Sequence, residues 1–259
     1  MHVNDEDENG NVRYRAPALD KGLDILEVLA SQAQGLTRLE IGRELGVNPS
    51  QIYRMLERLV ARGFVVRVDG GDRYILSMRM FLLATKHPPF RRLIAQVQPM
   101  LDDFSNAVSQ SCHLVVPECA SALIIAQASP VTYWEFRARL GAQMDLFTTG
   151  SGITLLAFQR QNFIHETLAQ WGCSEYEEKL KLVEPELAST LDKGYRVAPS
   201  RQVSGVTDVS VPILGPDGNA IAALTCVHIQ QPDDSEERNH VEIVNRLLDM
   251  SSSLSMANG

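Results

Sequence analysis

A short segment of this chain carries four polar side chains that could recognise another molecule. The segment GVNPSQIYRML spans Gly46 to Leu56, and its polar residues include Ser50, Gln51, Tyr53 and Arg54. Arginine makes two parallel hydrogen bonds to a guanine edge, and glutamine makes two to an adenine edge. Such a combination is typical of a surface that contacts double-stranded DNA.

Charge is segregated along the chain in a way that suits a single nucleic-acid-binding region. The 259 residues have a formal net charge of -8. Residues 13–92 nevertheless hold fourteen Lys or Arg and eight acidic residues, whereas residues 93–259 hold ten and twenty. We therefore expect only the N-terminal third to meet a polyanion. The candidate DNA contacts are Thr37, Arg38, Arg43, Asn48, Ser50, Gln51, Tyr53, Arg54, Arg58, Arg67 and Arg73.

Other residue types suit catalysis or metal binding, but their spacing does not favour either. Ser151 stands between two glycines, yet a nucleophile elbow needs G-x-S-x-G and Thr149 occupies its first glycine position. Cys112 and His113 are adjacent, so on a strand they point to opposite faces. The possible metal ligands have no zinc-like spacing, and buried thiols are the favoured interpretation of the cysteines. These possible ligands are Cys112, His113, Cys119, Cys226 and His228. We predict no catalytic residue, no metal site and no cofactor.

Two predicted helices precede the polar segment and support it. Apolar residues at helical spacing begin near Ala18 and end before Gly35. Thr37, with Glu40 three residues later, forms a capping box that starts a second helix. That helix ends at Gly46, because glycine is the usual residue just beyond a helix end.

A third predicted helix presents the polar side chains. Asn48 is a favoured cap, and Pro49 suits the first helical position. Ile52 and Leu56 belong to one apolar face, which would pack against the other two helices. The opposite side of the front turn then faces outward, as in a helix-turn-helix whose second helix enters the major groove.

Two short strands complete the N-terminal domain. The segments FVVRV (64–68) and RYIL (73–76) flank Asp69-Gly70-Gly71-Asp72, a sequence typical of a hairpin loop. A hairpin after a helix-turn-helix makes a winged helix-turn-helix. The alternative interpretation is a small helical domain with an ordinary solvated face.

The positions of prolines and the distribution of charge divide the chain into four parts. We predict an acidic disordered tail over 1–14, the winged helix-turn-helix over 15–76, a linker helix over 77–92 and an α+β domain over 93–259. The double proline at Pro88-Pro89 interrupts the apolar helical pattern near the linker. No apolar run reaches membrane-spanning length, and the acidic N-terminus has no signal-like apolar stretch. We therefore expect a cytoplasmic protein with no membrane partner.

The C-terminal part mixes strands and helices. Candidate strands are HLVVPE (113–118), SALIIAQAS (121–129), TYWEFRA (132–138) and residues 143–147. A helix over 151–159 follows TTGSG, and further helical stretches run to Lys193. Extended residues 195–197 and a hairpin over 206–214 and 219–229 precede a final helix to about Ser253. Antiparallel strands with separate helices indicate an α+β domain.

Taken together, these segments resemble the IclR-type (isocitrate lyase regulator) family of bacterial transcription factors. The resemblance rests on ALDKGLDILEVLA, LTRLEIGRELGVNPSQIYRMLERLVARGFVVR, DLFTTGSGITLLAF and KGYRVAPSRQVSGVTDVSVPILGPDGNAIAALTC. It implies a winged helix-turn-helix, a linker helix and a GAF-like effector-binding domain. It also implies a homodimer or tetramer on operator DNA, and leaves activation open beside repression.

The same resemblance implies an effector site in the C-terminal domain, on residues Gly150, Ser151, Val206, Asp208 and Thr225. Backbone N–H groups of TTGSG, at the positive end of a helix dipole, could hold a carboxylate. The family commonly has Cys where this chain has Asp208, and often has Gly-Lys-Ala where it has Gly-Ile-Thr (152–154). A carboxylate at 208 would repel an anion unless it were protonated or paired, but could accept from a hydroxyl or amine.

Two functional hypotheses follow. The first is a DNA-binding transcriptional regulator whose operator binding responds to a small acidic or aromatic metabolite. The second is a metabolite-binding or hydrolytic enzyme whose N-terminal helices serve assembly. Plainer interpretations also stand for the effector residues: Asp208 as a surface residue on a hairpin strand, and Gly150-Ser151 as a simple helix cap.

Overall fold

A computed structural model of the chain divides into two compact units, Met1–Pro88 and Pro89–Gly259. The structure describes residues 16–68, 72–84, 86, 88–133, 135–170, 175–230 and 236–257. The acidic tail expected over 1–14 and most of the predicted hairpin loop lie outside these residues.

The first unit has three helices and a small sheet. The helices are α1 (Pro17–Ala30), α2 (Arg38–Glu44) and α3 (Pro49–Ala61). The strands are β1 (Leu36–Thr37), β2 (Val65–Arg67) and β3 (Arg73–Leu76), in the antiparallel order β1-β3-β2. The three predicted helices and the two predicted strands are confirmed, whereas β1 was not expected from the sequence. The core of this unit is formed by Ile25, Leu29, Ile41, Ile52, Leu56, Val65 and Tyr74.

The predicted caps fix the helix-turn-helix corner. Thr37 Oγ1 accepts from the Glu40 N–H at 3.2 Å, and the Glu40 carboxylate accepts from the Thr37 N–H at 2.7 Å. Asn48 Oδ1 accepts from the Ser50 N–H at 3.0 Å and starts α3. Gly46 has φ +64°, the left-handed conformation that glycine tolerates best. These local interactions set the directions in which α2 and α3 leave the turn.

Two helices follow the small sheet: α4 (Arg79–Ala84) and α5 (Pro88–Val108). The predicted linker range, 77–92, therefore contains α4 and the first residues of α5 rather than one helix. The two prolines open α5 instead of preceding it, because proline needs no N–H partner in the first turn of a helix.

The second unit is built on one antiparallel sheet of six strands in the order β6-β5-β4-β9-β8-β7. The strands are β4 (Ser111–Glu118), β5 (Ser121–Ala128), β6 (Gln143–Asp145), β7 (Arg196–Pro199), β8 (Val206–Leu214) and β9 (Ala220–Ile229). The remaining helices are α6 (Gly150–Ala157), α7 (Gln161–Gln170), α8 (Tyr176–Lys193) and α9 (Glu236–Ala257). This architecture confirms the α+β prediction.

Helices cover both faces of the sheet. On one face, Leu101 of α5 and Leu247 of α9 pack with Val211 and Leu224 of the central strands. On the other face, Ile153 and Leu155 of α6 belong to a second core that also includes residues of α7 and α8. Alternate residues of β8 and β9 consequently face different helical layers.

One predicted strand is wrong. The described residues of TYWEFRA (132–133 and 135–138) form no strand, and Tyr133 and Phe136 are exposed. The edge of β5 is instead paired by β6 and the residues before it, with the Gly141 N–H bonded to the Ile124 carbonyl at 2.8 Å. Because that edge is already satisfied, the aromatic segment remains a surface loop.

Candidate functional site

The front turn of α3 is the exposed polar surface of the first unit. Ser50, Gln51, Tyr53 and Arg54 are all exposed, whereas Ile52 between them is fully buried. A helix period places residues three or four apart on the same side, so the buried side also includes Leu56. The four polar side chains therefore surround a firmly anchored turn that could enter a groove of DNA.

Some of the other predicted DNA contacts form hydrogen bonds or ion pairs within the protein, and others are exposed side chains. Arg73 donates to the Gly35 carbonyl at 2.9 Å and pairs with Glu40 at 3.4 Å, so it braces the wing against α2. Arg67 pairs with Glu57 of α3. Thr37 is a half-buried cap, and Asn48 is an exposed one. Arg43 and Arg58 are exposed on α2 and α3.

A cation–aromatic contact orders part of this surface. The Arg38 guanidinium carbon lies 5.3 Å from the centre of the Tyr53 ring. Stacking of this kind restricts both side chains and contributes roughly 0.5–1 kcal/mol at an exposed site. It joins the first turn of α2 to the front turn of α3.

The second unit contains a cavity of about 260 Å³ against the sheet face that carries α6. Gly150, Ser151, Val206, Asp208 and Thr225, the five predicted effector residues, all line it. The structure thus brings these five residues to one concave surface, and their role in binding stays a prediction.

Strand register aligns a row of polar side chains across the sheet, of which His113 and Thr225 line the cavity. His113 of β4 is paired with Thr225 of β9, and Thr225 is paired with Ser210 of β8. Ser151 Oγ lies 2.8 Å from Thr225 Oγ1 and 3.2 Å from His113 Nε2. All four side chains are at least 97% buried. The row is therefore a connected network and not a set of independent surface hydroxyls.

Two glycines allow α6 to approach the sheet. A Cβ on Gly150 would lie 2.7 Å from Asp208 Cβ, and one on Gly152 would lie 2.5 Å from the Leu146 carbonyl oxygen. Real side chains do not tolerate such separations, so glycine is needed here for close packing. The same closeness brings the start of α6 against the Asp208 carboxylate.

Asp208 is a buried carboxylate with compensating neighbours. Burial raises its pKa, and the Arg196 charge, the Ser200 hydroxyl and the Gly150 N–H oppose that rise. Arg196 in turn pairs with Glu186 of α8 at 2.7 Å, and its side chain is 96% buried. The surface-residue interpretation of Asp208 is therefore wrong, because the side chain is buried against Gly150 at the start of α6.

A salt-bridge cluster ties the loop beside the cavity to the helices. Glu186 accepts from Arg196 and from Arg201, each at 2.7 Å. Arg201 also donates to the Phe147 carbonyl at 3.2 Å, just before α6. Ser200 and Gln202, the neighbours of Arg201, line the cavity. The cluster positions this part of the cavity wall.

The Ser151–His113 contact has the atoms of a nucleophile and a base. His113 is fully buried, and burial lowers its pKa from 6.5 to about 4. A histidine with so low a pKa is too weak a general base to remove the proton of a serine hydroxyl efficiently near neutral pH. Ser151 also shares its hydroxyl with Thr225, so the pair suits hydrogen bonding to a ligand better than proton abstraction.

Sequence reasoning missed several residues of the cavity wall. His113 was treated as an ordinary histidine, although the pairing of His113 with Thr225 brings it opposite Ser151. Ser200 and Gln202 lie in a segment that carries the family resemblance, but the resemblance did not indicate them as site residues. A strand-register prediction for β4 against β9 could have found His113, since alternation then fixes which side it faces.

None of the described cysteines lines this cavity. Cys112 and Cys226 are buried among apolar residues on the other sheet face, and burial raises the pKa of Cys112 to about 12. Cys119 is exposed, and Cys173 lies outside the described residues. Within the described ranges, no group of three or more His, Cys, Asp or Glu side chains is arranged to hold a metal ion.

The described helices were also compared with the requirements for crossing a membrane. None of these helices combines the length and the apolar character that a bilayer crossing requires.

Comparison with protein families gives two matches that follow the two units. Residues 18–69 match the IclR helix-turn-helix domain, and residues 90–256 match the C-terminal domain of the bacterial transcriptional regulator IclR. The matched ranges cover most of the described residues.

Full-length relatives are distant but extend over the same two regions. The HTH-type transcriptional regulator BhcR of Paracoccus denitrificans is 26% identical over 230 residues, which cover 85% of this chain and 78% of that protein. The transcriptional repressor IclR of Escherichia coli is 22% identical over 215 residues, covering 80% and 78%.

Solved structures share the fold. An IclR transcriptional regulator from Alicyclobacillus acidocaldarius has a TM-score of 0.71 at 21% identity, covering 95% of this chain and 100% of that one. An IclR homologue from Microbacterium hydrocarbonoxydans, complexed with 4-hydroxybenzoate, has a TM-score of 0.71 at 24% identity, covering 92% and 98%.

Proposed function

This chain belongs to the IclR family of bacterial transcriptional regulators, and on that premise we propose how it reads DNA and what alters that binding. The front turn of α3 enters the major groove of an operator, and the cavity beside α6 binds a small organic effector. The observation that carries the proposal is the turn Ser50–Arg54, whose polar side chains are exposed while Ile52 anchors it in the core.

Base recognition is assigned to Gln51 and Arg54. Both are exposed on the front turn, and their side chains can form two hydrogen bonds each to base edges. Arg38, Arg43, Arg58 and the capping residues would bind phosphates and sugars, which position a protein on the duplex without reading its sequence.

Assembly as a homodimer or tetramer would supply two copies of α3. In helix-turn-helix dimers the two half-sites lie about one turn apart, roughly 34 Å, on an inverted repeat. Binding to chromosomal DNA would place the protein in the bacterial cytoplasm.

Effector control requires a difference in affinity between two states. A ligand that binds only one arrangement of the assembly shifts the population toward it, and DNA binding changes by the same coupling free energy. The relatives named as repressors suggest that the DNA-bound state blocks transcription. By analogy with the 4-hydroxybenzoate complex, a single aromatic ring is a suitable size class for the effector.

The test is selection of duplexes from a random-sequence pool by the full chain, followed by binding titrations. We expect a defined inverted repeat for the wild type. Arg54→Ala should relax base preference at one position of each half-site, with a loss of about 1–3 kcal/mol on the selected site. Arg38→Ala should weaken binding to all duplexes about equally.

Arg62→Ala is the matched control, because Arg62 is an exposed arginine about 12 Å along the axis of α3 from Arg54. It should leave base preference unchanged. Enrichment of no sequence by the wild type, or an unchanged sequence preference in Arg54→Ala, would contradict the proposed role of α3.

The alternative, a hydrolytic enzyme, would depend on Ser151 and His113. We propose against it because the buried histidine, with its pKa near 4, is a poor general base at neutral pH. Ester hydrolysis that disappears in Ser151→Ala would reverse this choice.

A further inference from the structure

The buried end of the effector cavity carries one charged side chain, the Asp208 carboxylate, whereas Arg137 lines the exposed side of the cavity and pairs with Glu135 at 3.0 Å. Asp208 is 8% exposed and lines the cavity together with His113, Ser151 and Thr225. Its cationic neighbour Arg196 pairs with Glu186 at 2.7 Å and is not among the residues that line the cavity. A ligand at this end therefore meets a carboxylate and not the guanidinium that partly neutralises it.

At the positive end of α6, which the sequence suggested for a ligand carboxylate, groups of the protein accept from three of the backbone N–H groups. The Gly150 N–H faces the Asp208 carboxylate. The Gly152 N–H donates to Thr149 Oγ1 at 3.1 Å, and the Ile153 N–H donates to the Thr149 carbonyl at 3.0 Å. The anion that favours this helix end is thus a side chain of the same chain.

The hydroxyl network is hydrogen-bonded within the protein. Ser210 Oγ donates to the Leu224 carbonyl at 3.3 Å and lies 2.7 Å from Thr225 Oγ1. Thr225 Oγ1 lies 2.8 Å from Ser151 Oγ, which lies 3.2 Å from His113 Nε2. Each hydroxyl of the network therefore already has hydrogen-bond partners within the protein.

The rest of the wall is mainly apolar and sets the size of the ligand. Phe136, Met144, Val206 and Val227 contribute to it. A dry cavity of about 150 Å³ accommodates benzene. The volume of about 260 Å³ therefore suits one substituted ring or a compact aliphatic molecule.

From these observations, and given the proposed effector site, we infer that the effector is a small molecule that presents a hydroxyl or amine, and not a carboxylate, to Asp208. The inner end of the cavity accepts hydrogen-bond donors and excludes carboxylates. A carboxylate placed there would meet the Asp208 carboxylate at close range, whereas a hydroxyl or N–H would bind an anionic acceptor.

The test compares probes of nearly equal shape on the full chain by isothermal titration calorimetry. Benzamide and benzoate differ in charge and in the presence of N–H donors; phenol, benzyl alcohol and benzylamine extend the donor series. We expect benzamide to bind wild type about ten-fold or more tightly than benzoate. Asp208→Asn should bring the two affinities together or reverse their order. Asp192→Asn, an exposed change on α8, should preserve the wild-type ratio.

The inference fails if benzoate binds wild type as tightly as benzamide, if no donor-bearing probe binds, or if a folded Asp208→Asn variant keeps the wild-type ratio. The wild-type comparison decides the matter even where that variant does not fold. Operator selection is measured separately, so a chain that selects DNA but prefers benzoate refutes this inference alone. A chain that selects no DNA refutes the proposed function instead.

Discussion

At the scale of single residues, His113 illustrates how burial sets chemistry. The ordinary pKa of a histidine is 6.5, but burial lowers the pKa of His113 to about 4. The neutral form is the one that fits the Ser151 hydrogen bond in the cavity wall. The residue therefore links the polarity of the cavity to the stability of the second unit.

This burial predicts a pH-dependent stability. Because the folded pKa lies below the unfolded one, the contribution of His113 is complete above about pH 6.5 and is lost as pH falls toward 4. The loss can reach about 3 kcal/mol in the free energy of unfolding. Urea unfolding at several pH values should show a flatter profile for His113→Gln than for wild type between these limits.

His165→Gln provides the control for that measurement, since His165 is an exposed histidine on α7. Its pH profile should follow the wild type. A His113→Gln profile that also follows the wild type would mean that His113 titrates normally and is not held neutral.

At the scale of elements, local caps determine how the DNA-contacting helix begins. Asn48 satisfies the Ser50 N–H and also accepts from the Ser50 hydroxyl at 2.8 Å. Pro49 occupies the first turn, and Gly46 makes the preceding bend. The position of the front turn thus depends on residues within one short segment, 46–50, which the sequence alone identifies.

Loss of this cap should weaken the first unit. Asn48→Ala leaves the Ser50 N–H without its acceptor and should lower the free energy of unfolding by about 1 kcal/mol, whereas Asn48→Asp should retain most of it. Circular dichroism during urea unfolding of the full chain gives the measurement. Equal stability of Asn48→Ala and wild type would show that the cap contributes nothing to α3.

The loop over 132–138 shows the opposite case, in which the pattern of an element was misleading. Its aromatic residues resemble a strand in type, yet Tyr133 and Phe136 are exposed, and β6 occupies the available edge. Competition for a sheet edge is a non-local matter. It cannot be decided from the residues of one segment.

At the scale of the whole molecule, segregated charge reconciles a net charge of -8 with DNA binding. Association of a basic patch with phosphates releases counterions, so the observed affinity falls as salt rises. The acidic C-terminal part makes the whole chain anionic but need not lie on the duplex. The charge of the contacting surface therefore matters more than the total.

Salt titration of binding to the selected duplex should reveal that surface. Arg43→Ala should reduce the slope of log affinity against log salt by about 1, because one phosphate contact is removed. Arg246→Ala removes an exposed arginine of α9 and should leave the slope unchanged. A wild-type slope near zero, or equal effects of the two variants, would contradict a basic DNA-binding surface confined to the first unit.

The sequence by itself determined the features that depend on neighbours along the chain. Caps at Thr37 and Asn48, the turn at Gly46, the apolar face of α3 and the hairpin over β8 and β9 all follow from local propensity and periodicity. The family resemblance also indicated five residues that line the cavity.

Only the tertiary structure decided what surrounds those residues. His113 and Asp208 are far apart along the chain, and they line one cavity because β4, β9 and β8 are neighbours in one sheet beneath α6. Pairing order and helix placement come from the burial of apolar faces across the whole unit, which no short segment encodes. For that reason the sequence could identify Asp208 as unusual, whereas its burial and its contact with the start of α6 required the fold.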